Sequence, residues 1–190
     1  FPHHENEIAQ SEAITGKPFA QHWFHIAHLM VDGRKMSKSL GNLYTLQDIE
    51  KKNFSAQELR YVLLSGGYRQ PLNFTFNSLK AARRALSKLT EFAAKIDYEP
   101  SEAGILETDF GPFKPVQDAL LKDLATPEAL GRLFTLVHDL SGSVGRTGFE
   151  PEKMQRGFQA VCDSLGFKVF VEKNLEQAAP VEIRELAEKR

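Results

Sequence analysis

Along most of this chain apolar residues recur every three or four positions, the spacing of one buried face on an α-helix. The clearest run is 76–96, where Leu79, Ala82, Leu86, Leu89, Phe92 and Ala93 share a face while Arg83, Arg84, Lys88 and Lys95 fall mostly outside it. The same spacing predicts helices over 56–65, with Leu59, Val62 and Leu63 inward, and over 114–122, 126–141 and 151–165. The punctuation agrees. Thr45 stands where an N-cap for 46–52 belongs, Ser55 and Glu58 spell a capping box, and Thr126-Pro127-Glu128 reads as a cap followed by an N1 proline. Gly66-Gly67 closes the helix begun at 56. Residues 3–15 read as a polar helix stopped by Thr15-Gly16-Lys17-Pro18, and a last helix is expected over 180–190.

Two stretches depart from this pattern. Residues 22–31, His22-Trp23-Phe24-His25-Ile26-Ala27-His28-Leu29-Met30-Val31, are aromatic and aliphatic with partial alternation, which favours a strand, and Asp32-Gly33 turns out of it. A lone strand needs partners that no other segment supplies. Residues 97–114 carry Pro100, Gly104, Gly111 and Pro112 and read as a linker. The expected layout is mainly α, one strand and about eight helices.

Composition changes this picture little. The 190 residues are 42% hydrophobic and 26% charged with a net charge of −1, so bulk charge points to neither nucleic acid nor membrane. The middle is locally basic: Lys51, Lys52, Arg69, Arg83, Arg84 and Lys88 lie in a stretch with few carboxylates, as phosphate-backbone contact would need. The single cysteine, Cys162, sits in an apolar-periodic run and reads as a core thiol, which excludes a disulfide framework and fits a reducing, cytoplasmic setting. No apolar run is long enough for a transmembrane helix. The chain opens at Phe1 with no initiator methionine or signal peptide, and the expectation is a piece of a longer polypeptide.

Two clusters carry chemistry. Lys35-Met36-Ser37-Lys38-Ser39, followed by Leu40-Gly41-Asn42, is a compact cationic loop, and lysine is a mobile point charge suited to a polyphosphate whose charge shifts during reaction. The second is the start, Pro2-His3-His4-Glu5-Asn6-Glu7. His3 and Glu7, four apart, stack on one helix face, as do His4 and Glu7 at three apart, and either pair is half of a zinc site. Helical geometry does not choose between the two histidines.

The five letters at 35–39 are those of the KMSKS loop of class I aminoacyl-tRNA synthetases, and recur by chance on the order of once in ten thousand chains of this length. "FPHHENEIAQSEA" at 1–13 resembles a segment of the cysteinyl-tRNA synthetases, as do Gly16–Ala20, Val31–Gly33, Leu59–Tyr61, Tyr68-Arg69, Pro71–Phe74 and Asp123–Leu130. The resemblance runs along nearly the whole chain and is densest over 1–74. It implies the tail of a Rossmann-like α/β catalytic domain with the KMSKS loop (1–44), stem-contact helices (45–97), a linker (98–113) and part of an α-helical, DALR-type tRNA-binding domain (114–190).

It also implies a chemistry: ATP-dependent, Mg²⁺-assisted adenylation of L-cysteine, then transfer to tRNA-Cys. Zn²⁺ would be held by His3, Glu7 and two cysteines, and a soft thiolate ligand selects cysteine over serine without editing. Lys35 and Lys38, with Met36, Ser37 and Ser39, would meet ATP, Lys38 being the stronger candidate to stabilise departing pyrophosphate. Met30 and Val31 would contact adenine through the backbone, and Trp23, His22, His25 and His28 read as core or rim of the strand. The two cysteine ligands and the HIGH-type motif are absent, and the expectation is that both lie N-terminal to Phe1. A monomer is expected, inactive by itself. Two other readings share the motifs: the cysteine:glucosaminyl-inositol ligase of mycothiol synthesis, and a noncatalytic tRNA-binding module. The match through Asn73 and Thr126–Glu128 argues against the first.

Overall fold

Periodicity and caps are realised closely in the helices. The computed structural model describes residues 2–100 and 108–170. In order these form α1 (Pro2–Thr15), β1 (Leu29–Val31), β2 (Arg34–Lys35), α2 (Leu46–Glu50), α3 (Ala56–Leu64), β3 (Leu72–Phe74), α4 (Phe76–Lys95), a 3-10 turn (Gly111–Phe113), α5 (Lys114–Leu121), α6 (Thr126–Ser141) and α7 (Pro151–Leu165). Thr45 and Ser55 cap α2 and α3 with full capping boxes, in which Asp48 and Glu58 accept from the cap N–H groups at 2.9 and 2.8 Å. Thr75 and Ser78 form a third box on α4. The helix expected over 180–190 lies outside the described residues.

Three expectations about strands and caps are corrected. The strand expected over 22–31 is regular only from Leu29, and residues 22–28 run irregularly across the surface. The strand is not alone either: β1 pairs antiparallel with β2 and parallel with β3, giving the order β2-β1-β3. The segment 72–74 is too short to show alternation. Thirdly, Thr126 is the first helical residue of α6 and makes no side-chain cap; Ala125 holds the cap position. The turn before it is made by Asp123 and Leu124, both at positive φ (53° and 51°), conformations that cost a non-glycine residue roughly 1–3 kcal/mol and persist only where the surroundings impose them.

The interior divides into two cores that share α3 and α4. Val31, Ile49, Val62, Phe74, Leu79 and Ala82 form the smaller, under the sheet. The second half of α4 (Leu89, Phe92, Ala93) joins α5, α6 and α7 in a much larger core. Tyr61 on α3 packs against both. At the centre of the larger core, Phe158 is fully buried with its ring 5.1–6.0 Å from those of Tyr98, Phe92 and Phe113. Tyr98, Phe110 and Phe113, between α4 and α5 in sequence, belong to the same core as those helices. A Cβ at Gly157 would lie 2.5 Å from the Phe110 carbonyl oxygen, so glycine lets the Phe110 backbone approach α7. Leu63, expected inward, is exposed at the rim of an apolar pocket.

Candidate active site

The lysine loop grows out of the sheet. Asp32 and Gly33 both take positive φ (49° and 73°), the twist that joins a β1–β2 hairpin tightly. Gly33 N–H donates to Asn73 Oδ1 at 2.8 Å, which ties the turn to β3. Beyond β2 the chain folds back on itself. Ser37 N–H donates to Asn42 Oδ1 at 2.9 Å, Asn42 Nδ2 donates to the Lys35 carbonyl at 3.2 Å, and Leu40 N–H donates to Ser37 Oγ at 3.3 Å. Gly41 N–H closes the turn on the Lys38 carbonyl at 3.1 Å. The Ser37 and Ser39 hydroxyls lie 3.2 Å apart.

These bonds divide the labour within the five residues. Met36 packs onto the smaller core and Ser37 is half-buried, so both shape the loop. Lys35, Lys38 and Ser39 are exposed, and the two lysines make no ion pair among the described residues. Two mobile cations are presented on a backbone fixed at both ends, which is what an incoming polyphosphate requires. Asn42 and Asn73, the side chains that hold this backbone, stood in the sequence only as parts of longer matches, although an Asn just after the loop glycine is a residue type that pairs with backbone on both sides.

At the other end, His3 and Glu7 stand one turn apart on α1 and both are exposed. The neighbouring His4 meets His3 edge-on, with ring centroids 4.1 Å apart, and is flanked by Trp23 and His25 at 5.0 and 5.1 Å. The irregular segment 22–28 therefore turns back over the start of α1, and Trp23 and His25 belong to this cluster rather than to a strand. Partial desolvation under these rings, then the charge of His3, lowers the His4 pKa and favours the neutral imidazole. His22 and His28 are exposed and lie outside the ring cluster that these contacts define. Met30 and Val31 lie on β1 with hydrogen-bonded strands on both sides.

The donor set tests the expected metal. Zinc takes four ligands. His3 and Glu7 supply one imidazole and one carboxylate, and among the described residues no three or more His, Cys, Asp or Glu gather into a metal site. Cys162 is buried in α7 and desolvation pushes its thiol up, away from the thiolate a metal would take. The chemistry of the two donors fits half of a zinc site and no more.

Comparison with known proteins separates these readings. The "tRNA synthetases class I (C) catalytic domain" family matches residues 1–84. A cysteine–tRNA ligase of Opitutus terrae is 46% identical over 190 residues, all of this chain and 38% of the relative. From end to end the chain is similar to cysteine–tRNA ligases. Other cysteine–tRNA ligases agree: that of Solibacter usitatus is 46% identical over 76% of this chain and 32% of its own length, and that of Chlamydia felis 37% identical over all of this chain and 41% of its own. The chain thus spans about two fifths of the length of the curated relatives it matches. Among solved structures, a LeuRS from Agrobacterium radiobacter K84, crystallised as a ternary complex with tRNA and LeuAMS, superposes with a TM-score of 0.57 at 17% identity, over 84% of this chain and 23% of that one. That likeness shows the fold: this mainly helical chain with its small sheet is arranged like part of a class I synthetase.

The contacts of the basic middle also sort its cations. Arg83 is engaged by the fold. Its Nε donates to Glu58 Oε1 at 2.5 Å, its Nη2 donates to the Asn53 carbonyl, and its guanidinium lies 4.8 Å from the Phe54 ring. Arg69 is likewise paired, with Asp123 at 3.1 Å. Lys51, Arg84 and Lys88 remain as exposed cations, with Lys52 lying 5.0 Å over Phe76. No described helix is long and apolar enough to cross a membrane.

Proposed function

We propose that this chain is the ATP-facing end of the catalytic fold, and the helices that follow it, of an enzyme that joins L-cysteine to tRNA-Cys. The observation that carries the reading is the occurrence, in one chain matching cysteine–tRNA ligases end to end, of the anchored Lys35–Ser39 loop and the His3/Glu7 face of α1. In the first half-reaction the cysteine carboxylate attacks the α-phosphorus of ATP and pyrophosphate leaves as its Mg²⁺ complex. Lys38, assisted by Lys35, reaches from the exposed crest of the loop to the phosphates and stabilises the charge that accumulates on the leaving group. Met36, Ser37 and Asn42 keep the crest in place, which limits the reorganisation needed at the moment of reaction. Met30 and Val31, whose backbone is engaged by β2 and β3, are left without the adenine contact expected of them. In the second half-reaction a hydroxyl at the tRNA 3′ end displaces AMP from the cysteinyl carbonyl.

His3 and Glu7 would hold Zn²⁺ together with two cysteines that this sequence does not contain. When bound, the metal supplies a soft acceptor for the substrate thiolate, which a serine hydroxyl cannot match. Residues 1–44 then form the end of the catalytic domain, 45–97 the stem-contact helices, 98–113 a connection and 114–190 part of a DALR-type helical domain. Lys51, Lys52, Arg84 and Lys88 are the cations left for the RNA backbone, each adding about one unit to the salt slope of tRNA binding.

The test is cysteine-dependent ATP–pyrophosphate exchange. The 190-residue chain alone is expected to give none. Joined to the preceding part of the Opitutus terrae relative, it is expected to exchange, and Lys38→Ala in that fusion to slow exchange about 10²–10³-fold. Full exchange by the fusion carrying Lys38→Ala, or by the 190-mer itself, overturns the assignment.

A further inference from the structure

The strongest unassigned cluster joins the lysine-loop side of the molecule to the large helical core. Tyr68 O–H donates to Asp123 Oδ1 at 2.7 Å, and Arg69 Nε donates to the Tyr68 hydroxyl at 2.8 Å while pairing with Asp123 at 3.1 Å. Asp123 lies in the positive-φ turn that starts α6. On its other side, Tyr68 stacks on Phe24 with centroids 4.4 Å apart, and its carbonyl accepts from Ala27 N–H at 2.8 Å. Ala27 and Phe24 belong to the irregular segment that runs into β1. β1 pairs with β2, and β2 ends at Lys35.

We propose that Tyr68, Arg69 and Asp123 are positioning residues: they clamp segment 22–28 to the turn before α6 and so fix the strand from which the lysine loop springs. Four observations converge on this role. Residues 22–28 have no regular hydrogen-bond ladder of their own, and among the described residues their backbone bond to another segment, from Ala27 N–H, goes to Tyr68. Asp123 and Leu124 adopt a backbone conformation that must be held from outside, and Leu124 lines a cavity of about 350 Å³ with Phe24, Ile26 and Tyr68. The guanidinium of Arg69 lies 5.2 Å from the Tyr68 ring, so the cation also braces the aromatic plane. Finally, the Asp123 carboxyl is held below its ordinary range, first by the Tyr68 hydrogen bond and then by Arg69, so the clamp is charged and closed at neutral pH. None of the three belongs to the lysine loop or to the His3/Glu7 face of α1. The functional weight of the clamp rests on the reading of 35–39 as the ATP loop, but its mechanical role does not.

Amide hydrogen exchange on the full chain, with emission of the single tryptophan, Trp23, tests the mechanical role without ATP. In Asp123→Ala, exchange at Ala27 and at Met30–Lys35 is expected to rise about tenfold relative to Leu133 and Val161, with a shift in Trp23 emission as its contact with His4 loosens. Tyr68→Phe, which keeps the ring on Phe24 and removes only the hydroxyl, is expected to give a smaller change of the same pattern, and carries the test should Asp123→Ala fail to fold. Combining the two is expected to add nothing beyond Asp123→Ala. Equal acceleration at Leu133 and Val161, or no change at Ala27 and Met30–Lys35, overturns the proposal. Loss of exchange with pyrophosphate in the fusion bearing Tyr68→Phe, with unchanged amide protection, would locate the fault in the clamp and leave the enzymatic reading standing.

Discussion

The part of the molecule that carries the chemistry and the part that carries the stability are built on opposite plans. From Pro2 to Tyr44 one residue, Val31, is buried among those described, while Trp23, Phe24, Ile26, Phe19 and Ile14 are exposed. Described residues between Leu89 and Val169 form one large core, with three aromatic rings around Phe158. The helical half has apolar area to spare and supports itself. The site-bearing half is held by hydrogen bonds and by contacts from outside: Asn73 on the hairpin turn, Asn42 across the loop, and Tyr68 beneath the segment that feeds β1. Hydrogen bonds fix geometry closely but add only about 1 kcal/mol each to stability. A loop that must meet a substrate can therefore be accurate without being deeply anchored.

Four measurements sharpen or break this contrast. Phe158→Ala is expected to cost about 3–5 kcal/mol in urea unfolding, since a fully buried ring leaves a cavity among three other rings. A loss below about 1 kcal/mol would mean that the large core is not what supports the chain. Val31→Ala is expected to cost about 2 kcal/mol, and to accelerate amide exchange in β1 and β2 more than in α6 or α7. Ser55→Ala removes the hydroxyl that accepts from Glu58 N–H at 3.2 Å and is expected to lower stability by about 1 kcal/mol.

The smallest effect is acid dependence. Asp48, whose carboxylate accepts from Thr45 backbone and hydroxyl, and Asp123, which accepts from Tyr68, both have lowered folded-state pKa values. The unfolded chain binds protons first, so their contribution is complete above the ordinary carboxylate value of about 3.9 and fades as pH falls below it towards the folded values. Tm measured from pH 6 downward is expected to hold and then fall through that window, and Asp123→Asn to flatten part of the fall. A fall already complete above about pH 5 would require a different group.

The sequence was most legible where one element suffices to explain itself. α4, α6 and α7 follow from 3–4 periodicity, the cap at Thr45 from its place before 46–52, and the box at Ser55 from Glu58 three residues on. Cys162 in the core follows from its apolar neighbours. Legibility ended where a residue's role depends on a distant one. β3 is three residues whose identity as a strand comes from β1, more than forty positions away in sequence. Trp23 and His25 read as strand residues until α1 is seen beneath them. Arg69 and Arg83 looked like cations free for phosphate because nothing nearby in sequence reveals Asp123 or Glu58 as their partners. Thr126 has every local mark of a cap, yet the positive-φ pair before it draws the helix start one residue earlier.

The burial of Cys162 has a practical side. Its thiol is enclosed in the core between α7 and its neighbours and is held in the protonated form, which does not attack maleimides or iodoacetamide at neutral pH. The native chain is thus chemically silent towards thiol reagents while folded. A cysteine placed at Ser39, on the exposed crest of the lysine loop, would be the one site that takes a spin label or fluorophore, with no need to remove the natural thiol first.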